Sequence, residues 1–534
     1  MMHRIVRTLP PGVLAAGPAL LALLLGPLVL GGPGILEVVV DGILRVVPLP
    51  VFGAVLTALG PLAKGVLFLA VAAGVVVVGG LLGAIVRRLA GPADARPSLG
   101  RAVLAGGLAL ALAELLVLPL AGAGVLGSEY GASVVALQVP LVIACVLFGA
   151  TLALVEPLRT SPAREPGPPA SWAEPSPGST SSPTLGGVVV PRRSVVVGGL
   201  ALAALGISGI VGAARVTTAA ATGRVPARRP ASPGGFGPTS AITPLEEHYV
   251  VAKGLTPPAI DGSTWRLAVD GLVGSPVELS LEQLRALGPT TDARTLICIS
   301  NPVVTYGAYA GTQIWTGAPL ATVLDLAGGP LPDARHVLWR SADDYTESIL
   351  LDVALDPRSL LAWGMGPDGA PLPQEHGFPL RVFLPGRYGM KQPKWITRMT
   401  LSADDTDGFW QQRGWDREAV VRTWSRIDDP LAGDVVAAGK PLSVYGVAFA
   451  GERGIRGVEV SGNGGTSWAA AELAAPGSAL TWVRWRVTLP APASGPVVLL
   501  ARAIDGTGAL QPEASEPPLP RGAAGWHEVR LIAG

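Results

Sequence analysis

The chain is short of the side chains from which most protein metal and redox centres are built. It has two cysteines, five histidines and five methionines among 534 residues. It contains no cysteine cluster and no Cys-x-x-Cys-His segment, so the sequence predicts neither an iron–sulfur cluster nor a covalently attached haem. A protein zinc site takes three or four His and Cys ligands, and the chain has few of either residue.

Charge is scarce as well. Charged residues make up 15% of the chain, the net charge is +1, and no basic patch with interleaved aromatic residues occurs. These features predict no nucleic-acid partner. The mean hydropathy of +0.46 is high for a soluble protein. Its cause is local, because the apolar residues are concentrated in the first 215 positions.

Five apolar runs lie in this first part of the chain. Each is near or above the ~18–20 residues that cross the hydrocarbon core of a bilayer, so each is predicted to be a transmembrane helix. Their sequences contain neither His nor Met, the usual axial ligands of a membrane haem. The runs are Val13–Leu30, Val66–Val86, Ala102–Leu126, Ser133–Val155 and Val195–Ala214.

Loop charges predict the topology. Arg87 and Arg88 follow the second run, and Arg192 and Arg193 precede the fifth. With these loops inside, the N-terminus is cytoplasmic and everything after the fifth run lies outside a plasma membrane crossed several times. The Arg192-Arg193 pair has two open interpretations, a twin-arginine export signal or ordinary positive-inside anchoring.

Composition divides the chain into four parts. Residues 1–215 are the five-span region, with a cytoplasmic linker at 156–193 that contains nine prolines. Residues 216–241 form a second linker. Residues 242–430 and 431–534 are predicted to be two folded domains. The role of residues 34–60 stays open.

Short motifs outline the first folded domain as mixed α and β structure. "WRLAVDGLV" (Trp265–Val273) alternates like a strand, and "LSLEQLRALG" (Leu279–Gly288) has helical spacing. "RTLICIS" predicts a strand that ends near Cys298, facing a loop. Asp343, Asp344 and Tyr345 are expected in a surface loop.

Cys298 has no evident disulfide partner, since Cys145 lies inside an apolar run. It could be a small buried hydrophobic residue, a catalytic thiolate or a soft metal ligand. Because the chain has few His and Cys residues, the best fit is a metal that brings ligands of its own and needs one protein thiolate.

Four motifs in this order resemble the sulfite oxidase family of molybdopterin enzymes: "TLICISNPV" (Thr295–Val303), "GTQIWTGAPLATVLDLAG" (Gly311–Gly328), "LPQEHGFPLRVFLPGRYGMKQPKWITRM" (Leu372–Met399) and "GFWQQRGW" (Gly408–Trp415). The resemblance covers roughly residues 242–534. It implies an α+β molybdopterin domain in which Cys298 is the single protein ligand of molybdenum.

The same resemblance implies a set of cofactor contacts. Cationic and hydrogen-bonding side chains suit a pterin phosphate and its polar ring system. The implied contacts are Tyr249, Asn301, His376, Arg381, Lys391 and Lys394. With the molybdenum–molybdopterin cofactor, the expected chemistry is two-electron oxo transfer.

Two positions depart from the family pattern. Val303 stands where sulfite oxidases have an arginine that helps to hold sulfite, and Trp415 stands where they have a tyrosine. Trp415 is therefore a candidate catalytic-site residue with altered chemistry. A small dianion loses a charge-assisted contact, so sulfite is not the expected substrate.

Residues 431–534 have short alternating segments separated by Gly and Asn turns, which predict an antiparallel sandwich. They resemble the immunoglobulin-like dimerisation domain of the family and imply a homodimer. Electrons are expected to pass to a separate cytochrome or membrane redox partner. The competing hypothesis is a non-catalytic cell-surface protein that keeps the fold for binding or assembly.

Overall fold

The structure, a computed structural model, describes residues 9–30, 34–48, 63–90, 98–127, 134–155, 235–254, 257–302 and 309–534, with isolated positions in 51–59 and 196–208. The chain divides into two compact units. The first comprises residues 1–46 and 62–219, and the second comprises residues 47–61 and 220–534.

The first unit is helical in the residues that the structure describes. Its small residues allow close contact between helices. A Cβ on Gly149 would lie 2.2 Å from the carbonyl oxygen of Ala102, and one on Gly106 would lie 2.9 Å from that of Cys145. Its helices are α1 (Pro11–Leu30), α2 (Ile35–Val46), α3 (Ala63–Ala90), α4 (Leu99–Leu112) and α5 (Val134–Val155).

Helix α4 does not end at Leu112. It continues through a π-helical turn at Ala113–Val117 and a last turn at Leu118–Leu120. The third apolar run was expected to be helical to Leu126, and this boundary is wrong. Gly122 and Gly124 have φ values of 75° and 73°, which no right-handed helix contains.

Three helices are long and apolar enough to cross a membrane, by length and composition: Gly65–Ala90, Leu99–Leu120 and Val134–Val155. They correspond to the second, third and fourth predicted spans. The first predicted span also forms a helix, with Pro18 and Pro27 inside it. The fifth falls mostly outside the described residues, as does the proline-rich linker.

The second unit begins its regular structure with a five-stranded sheet in the order β2-β1-β10-β5-β6. Strands β1 and β10 pair in parallel, whereas the other pairs are antiparallel. The strands are β1 (Arg266–Gly271), β2 (Val277–Ser280), β5 (His336–Ser341), β6 (Thr346–Leu350) and β10 (Ile396–Ser402).

Local sequence explains how this sheet begins. Leu267 and Val269 alternate inward on β1 and are fully buried. The segment predicted to be one helix from Leu279 is instead the end of β2 followed by α6 (Leu281–Arg285). Ser280 starts this helix with a capping box, because its Oγ accepts from the N–H of Gln283 at 3.1 Å and its own N–H donates to Gln283 Oε1 at 2.8 Å.

A second sheet has the order β3-β4-β7-β8, with β9 also paired to β7. Edge strand β3 pairs antiparallel with β4, with Ile297 opposite Ala310, so the residues directly after β3 emerge beside the start of β4. The strands are β3 (Thr290–Ile297), β4 (Ala310–Pro319), β7 (Leu360–Met365), β8 (Ala370–Pro371) and β9 (Arg381–Phe383); helices α7 (Leu320–Leu326) and α8 (Leu351–Ala354) follow β4 and β6.

The C-terminal part has two antiparallel-rich sheets, in the orders β11-β13-β17-β16 and β12-β19-β18-β14-β15. Fully buried Trp485 and Leu499 lie in their shared apolar core. The strands are β11 (Trp424–Asp429), β12 (Val435–Val436), β13 (Leu442–Phe449), β14 (Ile455–Ser461), β15 (Ala469–Ala470), β16 (Glu472–Leu473), β17 (Val483–Leu489), β18 (Gly495–Asp505) and β19 (His527–Ala533).

Residues 235–254, here called the strap, cross both parts of the second unit. Thr239 Oγ1 donates to Asp428 Oδ2 at 2.5 Å on the C-terminal sheets. Farther along, the N–H of Thr243 donates to the carbonyl oxygen of Thr312 on β4 at 2.8 Å. The strap thereby delivers His248 and the residue after it to the end of β3.

Candidate functional site

Cys298 lies one residue beyond the end of β3. Its N–H donates to the carbonyl oxygen of Tyr309 at 2.9 Å, which continues the β3–β4 ladder by one hydrogen bond. The side chain is buried, and Sγ is 3.1 Å from Ser300 Oγ. Burial raises the pKa of the thiol, although hydrogen bonds from Ser300 oppose this shift. Burial therefore favours the neutral thiol, and a positive partner such as a metal ion would be needed to stabilise the thiolate. Val303 lies outside the described residues.

The strap places two aromatic rings beside this cysteine. Tyr249 stacks on His248 with ring centroids 5.5 Å apart, and its ring is 6.3 Å from that of Tyr309. Burial, reinforced by the Cys298 charge, raises the pKa of Tyr249 well above its usual value. Its phenol therefore stays neutral. A Cβ on Gly389 would lie 3.0 Å from the Tyr249 hydroxyl, so a glycine at this position leaves the phenol its space.

The segment between β8 and β10 supplies a cationic group. Arg381 is buried, donates from a guanidinium NH₂ group to the carbonyl oxygen of His376 at 2.9 Å, and lies 4.9 Å from the ring centroid of Trp315. Lys394 Nζ donates to the carbonyl oxygen of Glu375 at 2.7 Å. Burial, with Arg381 and Lys394 nearby, lowers the pKa of His376 to about 3. This imidazole is neutral at physiological pH.

Lys391 is buried and makes an ion pair. Its Nζ donates to Glu347 Oε1 at 2.8 Å and to the carbonyl oxygen of Ser348 at 2.7 Å. Gln411 Nε2 donates to the same Glu347 oxygen at 2.6 Å. Tyr345 donates to Oε2 at 3.1 Å. This cluster of Tyr345, Glu347, Lys391 and Gln411 ties β6 to the two segments that bear Lys391 and Trp415.

Trp415 and Asn301 are both buried. The Trp415 indole packs in an apolar cluster with Ile297, Ile299 and Met390, on the segments that flank Cys298 and Lys391. Asn301 follows Cys298 in a turn, and its N–H donates to the carbonyl oxygen of Cys298 at 3.1 Å. Tyr345 is buried rather than in a surface loop, because its hydroxyl bonds to Glu347 and to the Met390 carbonyl oxygen.

Several buried polar atoms at this site have no hydrogen-bond partner among the described residues. They are both ring nitrogens of His248, Oδ1 of Asn301, Nε of Arg381 and the indole nitrogen of Trp415. Leaving such atoms unpaired costs about 1–3 kcal/mol each, so their grouping indicates a polar ligand. The described residues contain no group of three or more His, Cys, Asp or Glu that could hold a metal ion. A thiolate-bound metal that brings its own polar organic ligand fits this set.

Sequence reasoning missed His248 and Glu347. His248 is buried, its ring lies 5.3 Å from that of His376, and a Cβ on Gly311 would reach its Nδ1 at 2.6 Å. Burial, followed by His376 and Arg381, lowers the pKa of His248 well below its usual value. The sequence did offer one signal for His248, which stands directly before the implied cofactor contact Tyr249. Nothing in the local sequence marks Glu347, since Lys391 and Gln411, which bond to its Oε1, lie 44 and 64 residues away along the chain.

Comparisons with known proteins match the same region. Residues 253–410 match a family model described as oxidoreductase molybdopterin binding domain, and residues 419–532 match the Mo-co oxidoreductase dimerisation domain. Sulfite oxidase of Gallus gallus is 32% identical over 322 residues, which is 52% of this chain and 69% of that protein. Human mitochondrial sulfite oxidase is 30% identical over 51% of this chain and 58% of its own length.

Other similar proteins are named for different activities. Inducible nitrate reductase [NADH] 2 of Glycine max is 29% identical over 46% of this chain and 34% of its own length. The sulfane dehydrogenase SoxCD of Paracoccus pantotrophus aligns with a TM-score of 0.46 at 22% identity, covering 55% of this chain and 76% of that one. The chain thus spans less than two thirds of the human and soybean proteins.

The Glu347–Lys391 pair yields a stability prediction. Lys391→Met leaves the Glu347 carboxylate buried without its cation, so we expect the free energy of unfolding to fall by about 3–5 kcal/mol. Lys440→Met, at an exposed position, is the control and should change it by less than about 0.5 kcal/mol. Denaturant titration followed by tryptophan fluorescence measures both. Equal, small effects would contradict a structural ion pair.

Proposed function

Because the chain belongs to the sulfite oxidase family of molybdopterin oxidoreductases, we propose that residues 242–430 bind the molybdenum–molybdopterin cofactor and catalyse two-electron oxygen-atom transfer on a small molecule. The observation that carries this proposal is the buried thiol of Cys298 beside a group of buried polar atoms that have no partner among the described residues. The family comparison favours this enzyme over a non-catalytic binding protein.

Cys298 would hold the metal, and the neutral or cationic side chains around it would hold the pterin. When bound, the cofactor supplies a metal centre that exchanges oxo groups and two electrons. Arg381 offers a buried positive charge to its phosphate, and neutral His376 and Asn301 offer hydrogen bonds to its ring system. Tyr249 shields the thiolate from water. Lys394 completes the cationic side of the pocket.

The substrate is better explained as a neutral sulfur or nitrogen oxide than as sulfite. Lys391 is paired with Glu347, and Arg381 and Lys394 are the cations assigned above to the cofactor, so these three charges are not assigned to the substrate. The resemblance puts Val303 where a sulfite-binding arginine is expected. Trp415 adds an apolar indole in place of a phenol. A dianion would be desolvated here without full compensation by charge-assisted hydrogen bonds.

Electrons would pass to a separate carrier, a cytochrome or a membrane redox protein. The sequence supports this in having no cysteine cluster and no Cys-x-x-Cys-His segment. The dimerisation-domain match supports a homodimer formed by the C-terminal part, which we interpret as an immunoglobulin-like sandwich at residues 431–534. Three helices are long and apolar enough to cross a membrane, which supports a membrane anchor within residues 1–215. We propose that this anchor has five spans and lies in the plasma membrane. Its topology would put the N-terminus in the cytoplasm and the catalytic domain outside.

The first prediction of this proposal concerns the metal. Purified chain from a host that makes the cofactor should contain about one molybdenum per chain, and Cys298→Ser should lose both the metal and turnover because a serine hydroxyl is a poor soft-metal ligand. Cys145→Ser, the chain's other cysteine, is the matched control and should keep both. Elemental analysis decides the outcome. A Cys298→Ser protein that keeps its full molybdenum content and its activity would contradict the proposal.

The second concerns the substrate. With artificial electron mediators, we expect a neutral sulfoxide to be reduced with a higher kcat/KM than that for the oxidation of sulfite, by about tenfold or more. Val303→Arg restores the arginine that sulfite oxidases have at the matching sequence position, so it should raise the kcat/KM for sulfite. Both assays are run on one preparation with measured molybdenum content. A wild-type protein that prefers sulfite would refute the substrate assignment and leave the cofactor assignment standing.

The third concerns export. If the domain crosses the membrane with its cofactor already bound, Arg192-Arg193 acts as a signal as well as an anchor. Replacing both arginines with lysine keeps the positive charge, so anchoring should persist while the domain is stranded inside. Protease accessibility in intact cells measures this. Unchanged outward delivery would leave positive-inside anchoring as the explanation.

A further inference from the structure

The strap fixes the position of His248 through hydrogen bonds to β4. The N–H of Thr312 donates to Thr243 Oγ1 at 3.0 Å, and Gln313 Nε2 donates to the carbonyl oxygen of Thr243 at 2.6 Å. Farther along the strap, the N–H of His248 donates to the carbonyl oxygen of Leu245 at 3.2 Å and closes a tight turn. The imidazole therefore has a defined place beside β4.

The imidazole fills space that any side chain at position 311 would take. A Cβ on Gly311 would lie 2.6 Å from Nδ1 and 3.0 Å from Cε1 of His248. Gly311 pairs with Leu296 on β3, and side chains at directly opposite positions lie on one face of a sheet. Cys298 is two residues beyond Leu296, so it belongs to the same face, about 7 Å farther along the strand. The imidazole and the thiol thus share one face of the β3–β4 ladder.

The orientation of the ring leaves one nitrogen for a ligand. Nδ1 and Cε1 of His248 are the two atoms nearest to the Cβ position of Gly311, and the next atom, at 3.3 Å, is Thr243 Oγ1. Nδ1 therefore faces β4, and Nε2 lies farther from the strand. Neither nitrogen has a hydrogen-bond partner among the described residues, although the side chain is only 4% exposed. A buried nitrogen without a partner costs free energy, so Nε2 indicates a polar ligand.

Three aromatic rings surround the imidazole of His248. Tyr249 stacks on it with centroids 5.5 Å apart, and Trp315 and His376 meet it edge-on at 5.8 Å and 5.3 Å. The guanidinium of Arg381 lies 4.9 Å from the Trp315 centroid. His248 thus borders the side chains to which cofactor binding is assigned above, and it extends that group toward the face that carries the thiol.

Packing among aromatic rings does not by itself call for a histidine, because a phenylalanine would fill the same space without a polar atom to satisfy. Burial, followed by His376, Arg381 and Lys394, lowers the pKa of His248, so the ring is neutral. A neutral imidazole has one N–H donor and one acceptor nitrogen. It therefore suits a ligand group that is polar and uncharged.

The ring system of the cofactor is such a group, whereas its phosphate is not. A phosphate is best held by cations, and the positive charges of Arg381 and Lys394 meet that need. A pterin ring presents N–H groups, ring nitrogens and a carbonyl oxygen, all uncharged. The Nε2 atom of His248 can donate to this ring or accept from it, according to which imidazole nitrogen carries the hydrogen.

We propose that His248 binds the pterin ring of the molybdenum cofactor through Nε2, from the space that Gly311 leaves free on the face shared with Cys298. This inference rests on the cofactor binding proposed for residues 242–430. It adds a side chain that the family resemblance did not mark, since Tyr249 was the only implied contact on the strap. The strap thus presents two neighbouring side chains to the cofactor, one phenol and one imidazole.

The test uses the full-length chain, purified with its cofactor, and measures cofactor release rather than turnover. His248→Phe keeps a ring among Tyr249, Trp315 and His376 and removes Nε2. Release of molybdenum, and of pterin detected by its fluorescence after oxidation, should become about tenfold faster at a fixed temperature, because a hydrogen bond inside a buried site is lost. The molybdenum content of the purified variant should fall accordingly.

Two amide variants locate the contact on the ring. A glutamine amide reaches the position of Nε2, whereas the shorter asparagine amide reaches only that of Nδ1. His248→Gln should therefore release the cofactor within about threefold of the wild-type rate, and His248→Asn should release it about as fast as His248→Phe. A histidine needed only for packing predicts the opposite order, with His248→Phe closest to the wild type.

Gly311→Ala approaches the same contact from β4 and serves if His248→Phe does not fold. Its methyl group would lie 2.6 Å from Nδ1 of His248 and must displace the ring, so release should again be about tenfold faster. Added to His248→Phe, it should cause little further change. The matched control is Gly457→Ala on β14, where a Cβ would lie 3.6 Å from Ile504 Cδ1, and it should release the cofactor at the wild-type rate.

The possible failures are distinguishable. A folded His248→Phe or Gly311→Ala chain that releases its cofactor at the wild-type rate would overturn the proposal for His248. So would a His248→Asn chain that holds the cofactor better than His248→Gln. A wild-type chain that binds no molybdenum would instead refute the proposed function.

Discussion

The hydrogen bond from the Cys298 N–H to the Tyr309 carbonyl oxygen sets the position of the thiol. It adds one pairing to the β3–β4 ladder after the last strand residue, so the sulfur projects from the rigid end of a sheet rather than from a free loop. The strap, the Arg381 segment and the Trp415 segment all arrive at this strand end. Their side chains form a site because the ladder fixes a common point for them.

Burial has a cost that shapes the rest of the site. The pKa values of His248 and His376 are lowered and those of Tyr249 and Cys298 are raised, which keeps four groups neutral unless a ligand compensates. By contrast, Glu347 and Lys391 compensate each other directly, at 2.8 Å. The site therefore combines four neutral groups that could bind a polar ligand with an ion pair whose two charges already compensate each other. The first kind suits the cofactor binding proposed for this site, and the second ties β6 to the segments that bear Lys391 and Gln411.

The helices of the first unit pack against each other through small residues. In α4 and α5 the contacts are made by Ala102, Gly106 and Gly149, where an added Cβ would clash with backbone oxygen atoms. Small residues give close van der Waals packing where lipid offers no hydrophobic driving force between helices. The same helices expose large apolar side chains, among them Leu115 at 69% and Val135 at 67%. Such surface agrees with a lipid environment for this unit, which is the setting proposed for it.

The sequence by itself determined the features that depend on local pattern. Apolar run length predicted the helices at Gly65–Ala90 and Val134–Val155, alternation predicted β1, and the motif around Cys298 predicted a thiol at a strand end within a molybdopterin family. Family membership is confirmed by the comparisons. The individual cofactor contacts stay predictions, although the structure gathers Tyr249, His376 and Arg381 into one region. These successes rest on periods of two or 3.6 residues and on motifs read within a single segment.

Only the tertiary structure decided which distant groups meet. Glu347 contacts Lys391 and Gln411 because β6 packs against two segments that are far away in the chain. Tyr345 was expected in a surface loop and is buried for the same reason. The helix expected from Leu279 begins two residues later, since pairing with β1 keeps β2 extended to its cap at Ser280. Pairwise contacts across long loops leave no periodic trace in a sequence, so proximity of this kind has to be observed.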